Sequence, residues 1–145
     1  MAGCTDPPAP GVNWQRCNFD GLDLSNVNLS GARLRDGSYF RSILDGADLS
    51  GSQSFRAKFI NTSLVDSNLS GADLEQADMT KSDLSGADLT NSDLRNARLT
   101  RATLRGANLT GARTGGTDFF RADLSGATWT DGQRVCSEGS IGRCN

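Results

Sequence analysis

The chain has 145 residues, 36% of them hydrophobic, with 17 Gly, no His and a formal net charge of −2. That length suits one domain. The near-balanced charge predicts neither a basic nucleic-acid binder nor a strongly acidic mimic. Without His, no Cys–His or Ser–His–Asp set can be assembled. Low hydrophobic content with high Gly usually signals disorder. Strictly placed Leu argues instead for a repeat architecture, which needs only a thin core supplied by fixed positions.

The first segment, residues 1–11, reads "MAGCTDPPAPG" and holds all three Pro of the chain. Pro cannot donate to a ladder, so the segment is expected to cap whatever follows. No hydrophobic run is long enough to span a membrane, and no apolar signal region is present, so any signal is expected to have been removed or never to have existed. The tripeptide "AGC" also matches the end of a lipoprotein signal, with Cys4 as the acylated residue. That reading needs Leu where Met1 stands and leaves Cys17 without a partner.

Residues 12–131 repeat with a period of five. Large residues recur at every fifth position from Trp14 to Trp129, mostly Leu, with polar exceptions only at Ser54 and Thr114. Two places earlier the residue is small (Ala32, Ala47, Ala72, Ala87) or, near the start, apolar (Val12, Cys17, Leu22, Val27). Asp, Asn or Arg lies between. Small–polar–large is the alternation of a very short strand. The following two residues have the Ser, Thr, Gly and Asn composition of a corner. Each pentad is therefore one side of a coil. A helical array is excluded because a period of five would spiral the Leu around each helix.

Departures from the consensus give the number of sides. Phe19, Tyr39, Phe59 and Phe119 agree modulo 20, as do Phe40, Ile60 and Phe120, and the cations Arg41, Lys81, Arg101 and Arg121. Four sides per turn bring each set into a stacked column. About six coils of 20 residues result, a rod roughly 29 Å long at ~4.8 Å per coil. Burying each Leu contributes on the order of 1.5–3 kcal/mol before chain entropy is subtracted.

Units such as "ADLEQ", "ADMTK", "SDLSG", "ADLTN" and "ANLTG" resemble the A-(D/N)-L-x-x motif of the pentapeptide-repeat proteins. The resemblance covers residues 12–131 and implies an all-β fold: a right-handed quadrilateral parallel β-helix with capped ends. Its handedness agrees with the general crossover rule. The motif specifies a fold and offers no catalytic, cofactor or metal residues to carry over.

After Trp129 the pentads stop, and residues 132–145 form a second expected cap. Cys4 with Cys17, and Cys136 with Cys144, lie at short separations near opposite ends, so we expect two local disulfides fastening the caps. The alternative is four reduced, buried Cys. A zinc site is disfavoured because the pairs are far apart and no His is available. Disulfides or a lipid anchor at Cys4 would both place the protein in the periplasm or another extracytoplasmic compartment.

Phe40, Phe55, Ile60 and Val65 occupy outward corner positions on two consecutive coils, where a partner surface would be expected. Phe55 is expected to swing inward and fill the gap left by Ser54. The cationic column reads chiefly as solubility. Asp73, Asp78, Asp83, Asp88 and Asp93 are regularly spaced, and relatives that protect DNA gyrase from quinolones are understood to imitate DNA phosphates. Here Arg33, Lys58, Arg98 and Arg113 interrupt that position. The expectation is a non-enzymatic, monomeric rod outside the cytoplasm that binds an unknown protein partner. A topoisomerase-binding DNA mimic is the alternative.

Overall fold

The computed structural model describes residues 2–145; Met1, the first residue of the expected cap, lies outside the described residues. The chain winds as a repeat β-helix whose bridges are parallel and join each residue to the one 20 places on, beginning with Asn13–Arg33 and ending with Asn108–Thr128. Every bridge is isolated, so the expected short strands are reduced to one bridging residue per side. The physical reason is length. Three residues between corners leave room for a single outward pair.

One pentad, residues 47–51, shows how the backbone is satisfied. Ala47 N–H donates to the Leu44 carbonyl at 3.0 Å, turning the corner. Asp48 N–H reaches back to Val27 at 2.9 Å, while Leu49 and Gly51 reach forward to Asn68 and Ser70 at 2.7 and 2.9 Å. The remaining donor, Ser50 N–H, bonds to Asp48 Oδ1 at 2.9 Å. All five amides are thereby used without a regular ladder. The Asp or Asn of the motif is thus an Asx-turn residue, and the same bond recurs at Ser30, Ser70, Glu75, Ser85 and Thr90.

The second corner residue has positive φ in every pentad from Gly11 to Gly126. Gly fills many of these positions, but Arg41 (φ 58°), Gln76 (φ 59°), Lys81 (φ 58°) and Arg101 (φ 58°) also take the left-handed conformation. Each such residue costs about 1–2 kcal/mol relative to ordinary backbone. The conformation persists because these amides bond to the next coil, as Lys81 does to Thr100 at 2.9 Å.

The interior is filled by the large centres and their small neighbours. Leu44, Leu64, Leu84, Leu104 and Leu124 stack in one fully buried column. Phe19, Tyr39 and Phe59 stack in another, with ring centroids 5.8 and 5.1 Å apart. Gly37 lies beside them for a packing reason: an added Cβ would approach Tyr39 Cε2 to 3.2 Å and Leu34 O to 3.1 Å. The Tyr39 hydroxyl is buried and has no hydrogen-bond partner among the described residues. Ser54 is also buried, and its hydroxyl meets that of Ser52 at 2.9 Å.

Both Cys pairs are disulfides, Cys4–Cys17 and Cys136–Cys144, and no free Cys remains. At the first end, Gly3 N–H bonds to Asn13 O at 2.8 Å and the Trp14 indole donates to Asp6 O at 3.2 Å. At the other end, the chain turns back and lies antiparallel on the last coil, with bridges Asp123–Ile141 and Thr128–Val135. No helix among the described residues is long and apolar enough to cross a membrane.

Candidate functional site

A filled coil offers a surface rather than a cleft, so the informative positions are corners and outward bridging residues. One corner carries Ser30, Ser50, Ser70, Thr90, Thr110 and Thr130 in succession, all polar. The corner two sides away carries Phe40, Ile60, Thr80, Thr100 and Phe120, flanked by Arg41, Lys81, Arg101 and Arg121. Phe40 is exposed and Phe120 is 57% exposed. The Arg41 guanidinium sits 5.0 Å from the Phe40 ring centre, and Arg121 sits 5.2 Å from that of Phe120. The cationic column and the apolar corner are therefore one stripe, with Arg shielding each aromatic face.

The four expected surface residues do not form one patch. Phe40 and Ile60 share a corner, Phe55 lies one corner earlier, and Val65 lies one corner later. Phe55 does not turn inward. It stays half-exposed at its corner, with the Arg35 guanidinium 5.0 Å from its ring centre. The gap at Ser54 needs no ring, because Ser52 closes it by hydrogen bonding. Phe40 and Val65 keep their amides satisfied through Asp20 and Asp45 of the preceding coil, at 2.9 and 3.0 Å. Those Asp replace the Asx residue that Ser38 and Ser63 displace in the motif.

Two further apolar residues of the coil are exposed away from the corners. Ile43 is 40% exposed and Leu22 47% exposed, and they adjoin through the Ile43 N–H···O Leu22 bond of 2.9 Å. Ile43 was legible in principle, since it occupies the outward position usually held by Asp or Asn. Leu22 was not. It sits at an inward position and is exposed only because the first coil has nothing below it on that side.

Beside Ile60 runs a shallow groove of about 530 Å³, lined by Asp36, Arg56, Lys58, Asp78 and Arg98 among others. Its floor alternates in sign along consecutive coils, Lys58, Asp78 and Arg98, and the same column continues beyond it to Asp118. On another face, carboxylate oxygens of Asp73, Glu75 and Asp93 lie within 4.8 Å of one another. A cation already serves them, since Arg95 bonds Asp93 at 2.7 Å and lies 3.8 Å from Glu75. Hydrogen bonding from Arg95 holds the Asp93 carboxyl below its ordinary range, against a smaller opposing effect of burial. At Asp123, burial pushes upward but hydrogen bonds from Ser125 and Arg105 outweigh it. Arg105 also bonds Glu138 at 2.8 Å, fastening the C-terminal segment to the coil. These carboxylates are engaged in turns and ion pairs.

The sequence profile of the pentapeptide repeats matches in 8 copies, over residues 9–36, 57–96 and 97–128. No curated protein matches the chain. Among solved structures, HetL from Nostoc sp. strain PCC 7120, a pentapeptide repeat protein involved in heterocyst differentiation regulation, is 27% identical with a TM-score of 0.53. That match covers 86% of this chain and 70% of HetL. Trypsin-treated QnrB1, a plasmid-mediated fluoroquinolone resistance protein, is 22% identical with a TM-score of 0.64, over 76% of this chain and 59% of its own. A pentapeptide repeat protein of the Arabidopsis thaliana thylakoid lumen is 30% identical over 85% of this chain and 83% of its own, with a TM-score of 0.38.

Proposed function

The chain belongs to the pentapeptide-repeat family, and on that premise we propose that it is a non-enzymatic protein-interaction rod. Its coil is right-handed, with about six turns of 20 residues. Its binding surface is the corner stripe of Phe40, Arg41, Ile60, Phe120 and Arg121, extended by Ile43 on the adjacent side. The single observation behind this reading is the contrast between corners. One stays Ser/Thr throughout, whereas this one spends large apolar residues on an exposed position that the fold does not require to be apolar. An apolar strip flanked by cations suits a partner that offers apolar and acidic groups together. The experiment is crosslinking and pull-down from the native host with wild type and with Phe40→Ser/Ile60→Ser. Loss of one specific partner in the double variant supports the reading, and identical recovery refutes it.

The working compartment is the periplasm or an equivalent lumen. Two disulfides within short loops support this, because such bonds persist in oxidising compartments. Alkylation of protein taken from its host without reduction tests it: four blocked thiols would refute the placement. Cys4 lipidation would compete with the bond to Cys17, so the disulfide favours an unacylated Cys4.

Topoisomerase binding by DNA mimicry is the rival reading, and the similarity to QnrB1 bears on the fold alone. The alternation of Lys58, Asp78, Arg98 and Asp118 along one face opposes a run of phosphate-like charge. The Asx-turn role of the Asp residues gives them a structural purpose. Inhibition of gyrase supercoiling at sub-micromolar protein would overturn the ranking.

A further inference from the structure

We propose that the protein associates with itself head to tail, the C-terminal segment of one copy seating on the open lower edge of the next copy's first coil. The two caps each cover only part of an end. At the start, the contacts of Gly3 with Asn13 and of Cys4 with Cys17 place the N-terminal segment over one side. The N–H and C=O groups of Asp23 and Asn28, on other sides, have no backbone partner among the described residues. At the far end, the C-terminal segment covers the sides of Asp123 and Thr128, while the N–H groups of Thr114, Gly116, Phe119 and Arg121 have no partner among the described residues.

These open groups match. The column running from Asp23 through Ile43, Ser63, Asp83 and Thr103 to Asp123 ends on Ile141, and the column from Asn28 to Thr128 ends on Val135. Ile141 and Val135 direct their own N–H and C=O away from the coil, and neither group has a partner among the described residues. A second copy stacked in register places Asp23 opposite Ile141 and Asn28 opposite Val135, antiparallel. Each pair then exchanges two hydrogen bonds. In that register Leu22, 47% exposed and on the inward face, comes opposite Gly142 at the end of the core, while Ile141 (51%) and Val135 (61%) lie beside Asp23 and Asn28 on the outer face. The N-terminal segment of the upper copy falls over the uncovered Thr114–Phe119 side of the lower one, so the caps dovetail instead of colliding. Such an interface does not close on itself and extends to short filaments.

Sedimentation velocity over a range of protein concentrations tests the arrangement, with Leu22→Asp altering the lower edge and Ile141→Asp the upper. Neither substitution removes an internal hydrogen bond of the rod, and thermal melts check that both variants fold. Wild type is expected to grow in mass with concentration, and each variant to lose at least about tenfold in association. An equimolar mixture of the two variants is expected to form dimers and nothing larger, because one intact edge of each kind remains. A wild type that stays monomeric overturns the proposal. So does self-association abolished by Ile141→Asp and untouched by Leu22→Asp, which would mark an upper-edge pairing of two like ends.

Discussion

Residues 62–111 and residues 32–61 follow the same pitch and differ in how their interior positions depend on one another. In the later stretch, Leu64, Leu69, Leu74, Met79 and Leu84 are buried beside Ser67, Ala72, Ala77 and Ser82, and from residue 67 to residue 96 each pentad closes its corner with its own Asp or Asn. In the earlier stretch Tyr39 requires Gly37, Ser54 requires Ser52, and Phe40 relies on Asp20 from the coil below. The outward apolar residues Phe40, Ile43 and Ile60 lie there too, the first two exposed and Ile60 half-buried. Regular repeats give stability by repetition. The irregular stretch keeps the same pitch through matched neighbours, and those departures accompany its distinctive surface.

The contrast can be broken most severely in the regular stretch. Leu84→Ala opens a cavity in a stacked column and is expected to cost about 3–5 kcal/mol in denaturant unfolding. A cost within the range of ordinary surface changes, under about 0.5 kcal/mol, would mean that the column is not the core. Gly37→Ala comes next, at about 1–3 kcal/mol from overpacking against the Tyr39 ring. The matched positions Ala57, Ala77 and Ala97 already carry the methyl group, so the crowding at Gly37 belongs to the way the Tyr39 ring and hydroxyl lie against it. Combining Gly37→Ala with Tyr39→Met should recover most of the loss, and simple additivity would dismiss the coupling.

Tyr39→Phe is expected to stabilise the protein by about 1–2 kcal/mol, since it deletes a buried hydroxyl with no partner. Burial also pushes the Tyr39 phenol far above its ordinary value of 10.0. A raised folded value means that stability is fully present below the unfolded value and declines as pH rises beyond it. Tyr39 is the only Tyr, so tyrosinate absorbance reports it alone. In alkaline solution that signal should appear together with unfolding, whereas Tyr39→Phe should resist the same pH. Ionisation of Tyr39 in the intact fold would show that its hydroxyl reaches water.

Corner substitutions separate the two stretches more gently. Lys81→Gly relieves a left-handed residue and should gain about 0.5–1 kcal/mol after the entropy of Gly is deducted. Arg41→Gly should gain less, because it also removes the cation over the Phe40 ring, and equal gains would show that this contact contributes nothing. The smallest effect concerns Asp93. Its lowered carboxyl contributes stability that is present above the ordinary carboxylate value and fades as pH falls through the lowered folded one. Solvent screening keeps this near the limit of detection. Asp93→Asn should flatten the acid limb of the stability curve only slightly.

Much of this architecture was legible beforehand. The agreement of Phe19, Tyr39 and Phe59 modulo 20 gave the four-sided turn, because stacking places like residues in contact. Short separation marked both Cys pairs. The surface was less legible. Spacing marked Phe40, Phe55, Ile60 and Val65 as outward, but three corners divide them, and adjacency across corners depends on how the coil turns. Leu22 carried no signal at all, since its exposure arises from an open end.

Period and composition by themselves determined the pitch, the inward residues and the outward ones, because each depends only on a residue's place in a repeat of five. The tertiary structure decided what depends on contacts between coils. It put Arg41, Gln76 and Lys81 into the left-handed conformation, which their types disfavour and the inter-coil hydrogen bonds impose. It bound Gly37 to Tyr39. It also set the C-terminal segment antiparallel over only part of the last coil, leaving backbone donors at both ends that no local pattern could reveal.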